Sequence, residues 1–311
     1  MQLDPQMIKV MQKRATLTNE SDDLAALPIE EIRKAYNTER AWWNEIKPEM
    51  HDVLDTTVAG PVRDIPVRIY RALDSDDGPT LLYLHGGGWV VGNLDTHDRV
   101  MRLLADFSGA RVVGVDYALS PEYRFPVAIN EVRAVIEWLQ VRGESYGLDS
   151  SRLGIGGDSA GANMAVGVTQ LCHQQSADVI QFLLLYYGAY GLTESASWKQ
   201  YGNTEFEFTP EEKEFYLKSY LSDTQERSDP RFKVLNGNIG LLPTTFIAAA
   251  ECDPLQDDST ALSEAMQTAG RPAILKIYPG VLHSFIHYSR MLDKATEALR
   301  DGADALKQAL G

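Results

Sequence analysis

The chain has 311 residues, 44% of them apolar and 23% charged, which fits one large globular α/β domain with an appended subdomain and argues against disorder. Its 44 acidic and 29 basic residues leave a formal net charge of -15. That excludes nucleic acid as a direct partner, because phosphate binding needs clustered Lys and Arg, and it removes an electrostatic hold on anionic membranes.

No run approaches the roughly 18 apolar residues of a spanning helix, and residues 1–20 lack the apolar core of a signal peptide, so no membrane association and a cytoplasmic location are expected. Cys172 and Cys252 are far apart and form no CxxC pair, so neither a disulfide framework nor a zinc site is expected on them. The sequon Asn19-Glu20-Ser21 reads as a chance match in a chain without a secretory signal.

In chain order, residues 1–50 show helical periodicity punctuated by Pro5, Pro28 and Pro48, which predicts two or three amphipathic helices. Residues 53–58 and 67–71, with Gly60-Pro61 between them, predict an antiparallel hairpin at a sheet edge. From residue 81 onward, strand patterns at 81–85, 111–116, 152–156, 180–187, 244–250 and 273–278 alternate with helical patterns at 96–107, 128–142, 160–173, 255–268 and 285–310. Such alternation predicts an α/β fold, a mostly parallel sheet covered by helices on both faces. Residues 192–235 interrupt it with a polar-aromatic insertion carrying a helix near 211–221, long enough to need a structure and a job of its own, often that of a lid. The expected organisation is a core of 51–191 and 236–311, an N-terminal cap segment of 1–50 and a cap insertion of 192–235, above the sheet edge where open α/β sheets bind ligands.

The strongest local signal is Gly157-Asp158-Ser159-Ala160-Gly161, which follows an apolar strand and opens a helix. G-x-S-x-G at a strand-to-helix turn is a nucleophile elbow: the turn holds Ser159 in a strained conformation and demands small neighbours. A second signal, His85-Gly86-Gly87-Gly88-Trp89, follows the strand at 81–85. Glycines there let the backbone aim its amides at one point, so Gly86, Gly87, Gly88 and Ala160 are the candidate oxyanion-hole donors.

A base must follow the elbow, in the order Ser, Asp or Glu, His. His283 sits in a loop just past the strand at 273–278, whereas His287 falls a turn into the next helix, where a surface or packing role is expected. The i, i+4 spacing of this pair resembles a metal motif, but Ser284 stands where the Glu of H-E-x-x-H would be, so no metal is expected. Glu251, Asp253, Asp257 and Asp258 could each supply the acid; Asp253 is favoured because it lies in the loop before the helix begins. Ester cleavage through an acyl-enzyme then needs no cofactor, and an amidase or peptidase is the alternative chemistry for the same groups.

His85–Trp89, the stretch Asp116-Tyr117-Ala118-Leu119-Ser120-Pro121-Glu122 with Phe125-Pro126, the elbow, Asp253-Pro254-Leu255 and His283 together resemble the hormone-sensitive-lipase-like esterases of the α/β-hydrolase fold. Residues 92–99, 287–291 and 298–303 are similar to the bacterial acetyl-esterase branch of that family. The resemblance implies hydrolysis of acetyl to medium-chain esters, poor action on long-chain triglycerides, a helical cap, a cytoplasmic homodimer, and a supporting role for His85, Glu122 and Asp158 around the active-site loops. It also implies regulatory partners, a maltose-regulon activator and an α-galactosidase, to which no residue can be assigned. Ala118 departs from the Arg or Lys common before the Leu of this motif, without mechanistic consequence.

Overall fold

Thr80-Leu81-Leu82-Tyr83-Leu84 is buried at every position, so apolar side chains leave both faces of this strand and each face must be covered. The computed structural model, which describes residues 2–17, 27–73, 75, 77–175 and 178–311, meets that demand with a sheet between two helical layers. The Asn19-Glu20-Ser21 sequon lies outside the described residues.

The strands are β1 (Asp52–Ala59), β2 (Asp64–Arg71), β3 (Thr80–Leu84), β4 (Arg111–Val115), β5 (Leu153–Asp158), β6 (Phe182–Tyr186), β7 (Thr244–Cys252) and β8 (Ala273–Leu282). They lie in the order β1-β2-β4-β3-β5-β6-β7-β8. β1 and β2 form the expected antiparallel hairpin, β2 pairs antiparallel with β4, and every later pairing is parallel. Parallel pairing puts the ends of β3, β5, β7 and β8 along one edge, so the loops that follow them converge.

The helices are α1 (Pro5–Arg14), α2 (Ile29–Asn44), α3 (Asp98–Ser108), α4 (Val127–Arg142), α5 (Ala160–Gln175), α6 (Ala196–Tyr201), α7 (Pro210–Tyr220), α8 (Gln256–Thr268) and α9 (Asp293–Leu310). On one face Leu82, Leu84, Val113 and Ile155 pack with Val132 and Ile136 of α4, Val166 of α5 and Leu262 of α8. On the other, Leu81, Tyr83, Val112 and Leu184 pack with Leu104 of α3 and Leu299 and Leu306 of α9. Each such leucine, fully buried, contributes about 1.5–3 kcal/mol.

Two boundaries differ from the sequence reading by more than three residues. β8 runs four residues beyond 278, through Pro279, which is tolerated because β8 is the edge strand and needs no outward amide. The helix expected over 285–310 is divided: Ser284 adopts φ 66°, residues 285–288 form a single 3-10 turn, and Leu292 is extended before α9 begins. No helix among the described residues is long and apolar enough to cross a membrane.

The segments outside the alternation meet each other above the glycine loop. Ile32 of α2 packs with Val90 and Val91, and Tyr36, Phe215 and Tyr216 lie against them. Arg33 of α2 bonds the carbonyls of Val90 and Ser120, each at 2.9 Å. α7 is started by a capping box between Thr209 and Glu212, an arrangement worth about 1 kcal/mol.

Candidate active site

The chain turns sharply at the end of β5. Ser159 has φ 52°, a left-handed conformation that costs a non-glycine residue on the order of 1–3 kcal/mol. Tyr186 accepts its amide hydrogen at 2.9 Å, and its carbonyl starts α5 by accepting from Asn163. A Cβ on Gly157 or Gly161 would overlap the Leu84 carbonyl oxygen, so the elbow and the end of β3 touch main chain to main chain.

His283 follows β8 directly. Its Nε2 lies 3.0 Å from Ser159 Oγ and its Nδ1 2.7 Å from Asp253 Oδ2. Asp253 is fully buried and its other oxygen accepts the Leu255 amide at 2.8 Å, which fixes the carboxylate's orientation. The other acidic candidates are engaged elsewhere. Glu251 takes the Gly280 amide at 2.7 Å, Asp257 the Ser197 amide at 2.9 Å, and Asp258 Oδ1 the amides of Tyr190, Gly191 and Leu192. Of these acids, Asp253 alone faces the imidazole. Burial pushes the Asp258 carboxyl up to about 6, against those three amides, which favour its anion.

Aromatic rings flank the imidazole. Phe208 stacks on His283 with centroids 5.1 Å apart, and Tyr187 meets it edge-on at 4.9 Å.

The glycine loop corrects one expectation. Gly86 donates its amide to Asp158 Oδ1 at 2.9 Å, so it is not an available oxyanion donor. The amides of Gly87 and Gly88 have no hydrogen-bond partner among the described residues, and that of Ala160, at the first position of α5, has none within the helix. Positive φ values of 120° and 57° at Gly87 and Gly88 turn the chain as a side-chain-bearing residue would resist. His85 is folded beneath the loop: its Nδ1 lies 2.8 Å from the Gly86 carbonyl and its ring stacks on Tyr117 at 4.2 Å. Burial and the neighbouring His97 push its basicity down to about 3.

Glu122 reaches the loop indirectly. It holds both Nη atoms of Arg33 at 2.8 and 2.7 Å, and Arg33 holds the Val90 and Ser120 carbonyls. The Arg33 bond keeps the Glu122 carboxyl below its usual range.

Of the surface or packing role expected for His287, the structure shows the buried one. It is 3% exposed, and its Nε2 points at Asp158 Oδ2 from 3.5 Å. His97 approaches Asp158 Oδ1 to 3.3 Å, and Tyr83 donates to the same oxygen at 3.0 Å. Burial raises the Asp158 carboxyl, but the two histidines outweigh it and hold the group well below the usual carboxylate range. His287 is itself pushed well down by burial and by the charge of Arg40. The donor atoms of His97, Asp158 and His287 lie within 4.8 Å of one another, a spacing open to a metal ion. Yet Asp158 already accepts from Gly86 and Tyr83, and Arg40 brings positive charge close by, so the anion is balanced by the protein's own groups. Nothing local in the sequence marks His97 as part of this cluster.

The profile of the alpha/beta hydrolase fold family matches residues 81–287. The chain belongs to this family. The acetyl esterase of Salmonella typhi is 42% identical over 279 residues, covering 88% of this chain and 85% of its own length. An esterase from the archaeon Pyrobaculum calidifontis superposes with a TM-score of 0.93 at 29% identity over 99% of each chain. An ester-hydrolase from the metagenome of Lake Arreo, complexed with a derivative of bipyridine phosphonate, superposes with a TM-score of 0.92 at 31% identity over 98% of each chain.

Proposed function

We propose that this carboxylic ester hydrolase cleaves acetyl to medium-chain esters with Ser159 as nucleophile, His283 as general base and Asp253 as the residue that orients the base. The observation that carries the proposal is the unbroken line from Asp253 Oδ2 through the imidazole to Ser159 Oγ, at 2.7 and 3.0 Å. Ser159 Oγ attacks the ester carbonyl while its proton passes to His283 Nε2. The amides of Gly87, Gly88 and Ala160 receive the oxyanion, each such donor being worth about 3 kcal/mol of barrier. His283 returns the proton to the departing alcohol, and water repeats the sequence on the acyl-enzyme. The residues present call for no cofactor in this scheme.

Preference for short acyl groups is supported by crowding above the loop. A Cβ on Gly88 would overlap the ring of Tyr216, and Phe208 covers His283. Segments 1–50 and 192–235 thus act in this reading as a cap over the site. The names of the acetyl-esterase relatives agree with an acetyl ester as substrate.

A cytoplasmic homodimer completes the proposal. It is supported by the open edge of β8, whose Ile274 and Ile277 are exposed. Regulatory contacts with a maltose-regulon activator or an α-galactosidase belong to the same proposal.

Hydrolysis of p-nitrophenyl esters from acetyl to palmitoyl tests it, with Ser159→Ala alongside. Turnover of the short esters that disappears in the variant is the expected result; full activity in the variant would overturn the assignment of the nucleophile.

A further inference from the structure

Beneath the elbow lies a polar cluster that ester chemistry does not itself require. Asp158 is 1% exposed and its carboxylate touches four separate pieces of chain, one of them through the Tyr187 hydroxyl, which donates to Oδ2 at 3.5 Å. Through Oδ1 it holds the Gly86 amide, at the root of the glycine loop. A Cβ on Gly86 would collide with this carboxylate, so the loop rests directly on it. Through Oδ1 it also faces His97, the residue before α3, and through Oδ2 it faces His287, four residues beyond the base.

His97 is held for this contact. It is fully buried, and its Nδ1 lies 2.9 Å from Thr96 Oγ1. Thr96 is in turn fixed by Asn93, whose amide it accepts at 2.9 Å and to whose carbonyl it donates at 2.8 Å. With one ring nitrogen pinned, the other lies 3.3 Å from Asp158 Oδ1, an electrostatic contact rather than a directed hydrogen bond. His287 meets the His97 ring edge-on, with centroids 4.5 Å apart, and closes the cluster from the far side. Burying a carboxylate here without facing donors would be costly, and a displaced carboxylate would carry Gly86 with it.

We propose that His97 and His287 are positioning residues for the oxyanion hole: by holding Asp158 in place they set Gly86, and through it the amides of Gly87 and Gly88, relative to Ser159. The proposal rests on the assignment of Ser159 and His283 made above. It differs from a general packing role in predicting a loss confined to the step in which charge develops on the carbonyl oxygen.

Asparagine and glutamine separate the two ring nitrogens. In His97→Asn the amide reaches the Nδ1 position, keeps Thr96 and abandons Asp158. In His97→Gln it reaches the Nε2 position and keeps Asp158. The test measures kcat and KM on p-nitrophenyl acetate, together with the inhibition constant of a short-chain trifluoromethyl ketone. Ser159 adds to that ketone and leaves an oxyanion, the proton passing to His283.

In His97→Asn, kcat is expected to fall about 10- to 100-fold with KM within about twofold, the scale of a displaced donor. Ketone affinity should fall in parallel, and His97→Gln should recover most of both. Equal losses in Asn and Gln, a change in KM alone, or an unchanged ketone affinity would overturn the proposal. Should His97→Asn not fold, Thr96→Val releases the same ring at constant volume, and native kcat and ketone affinity in that variant would overturn it equally. Ser159→Ala keeps the failures apart: if it retains activity, the nucleophile assignment falls; if it is inactive while the His97 and Thr96 variants behave as native, only the positioning role falls.

Discussion

The ring of Phe208 lies on the His283 imidazole, with centroids 5.1 Å apart and 29° between planes. A residue from the 192–235 stretch therefore forms one wall of the space around His283. The neighbouring Glu207 is bonded to Arg14 of α1, so the N-terminal helix helps to hold that wall in place.

Stacked aromatic pairs contribute about 0.5–1.5 kcal/mol beyond burial. Phe208→Ala is accordingly expected to lower kcat/KM on p-nitrophenyl acetate by up to about tenfold, and Phe208→Tyr to stay near the native value. Steady-state kinetics of the two variants decide it; an alanine variant as fast as the native chain would remove Phe208 from the base's support.

Asp253 and Asp257, both past the end of β7, predict opposite outcomes for the same chemical change. Asp253→Asn should lower kcat by about 10³–10⁴ with KM little altered, since the imidazole loses the partner that fixes its tautomer. Asp257→Asn keeps an acceptor for Ser197 and should leave kcat within about twofold. Comparable losses in both variants would mean that charge near the site, not the contact with His283, is what matters.

Asp258 predicts a pH dependence of stability. Its carboxyl is raised from the ordinary 3.8 to about 6 by burial, so folding favours the protonated form. Its contribution is fully present below pH 3.8 and is lost as pH rises through 6, on the order of 2–3 kcal/mol across that window. Asp258→Asn keeps the acceptor for the three amides and does not titrate. Urea denaturation from pH 4 to 7 should show the native chain losing stability relative to the variant as pH rises. A constant difference between the two would show that the shift is absent.

Two glycines with different surroundings make a paired prediction. Gly161→Ala puts a methyl group into the Leu84 carbonyl and should cost more than about 3 kcal/mol or prevent folding. Gly109, unlike Gly161, has a positive φ, 68°, but nothing lies within 4 Å of its added Cβ, so Gly109→Ala should cost only about 1 kcal/mol. Equal losses in the two would show that the Leu84 carbonyl yields to the added methyl group.

The parts of the site readable from sequence were those written in consecutive residues. Gly157–Gly161 names a turn by its own sterics, and Asp253 and His283 each stand directly after a strand whose apolar run is visible. Strand alternation likewise revealed the sheet, down to the hairpin at its edge. Contacts assembled across the fold were not readable. Gly86 looked like its two neighbours until Asp158 took its amide. His287 looked like a helical residue because nothing in its neighbours announces the left-handed Ser284 that turns it inward. Phe208 comes from an insertion whose pattern records a helix but not the surface it leans on.

The contact between Gly161 and the Leu84 carbonyl carries a consequence for how the protein can vary. Side chains set the width of the space around His283, but the spacing between Ser159 and the glycine loop is measured out there by peptide atoms common to every residue. Repacking Phe208 and Tyr216 could therefore retune which esters enter without altering the ruler against which the reaction is set.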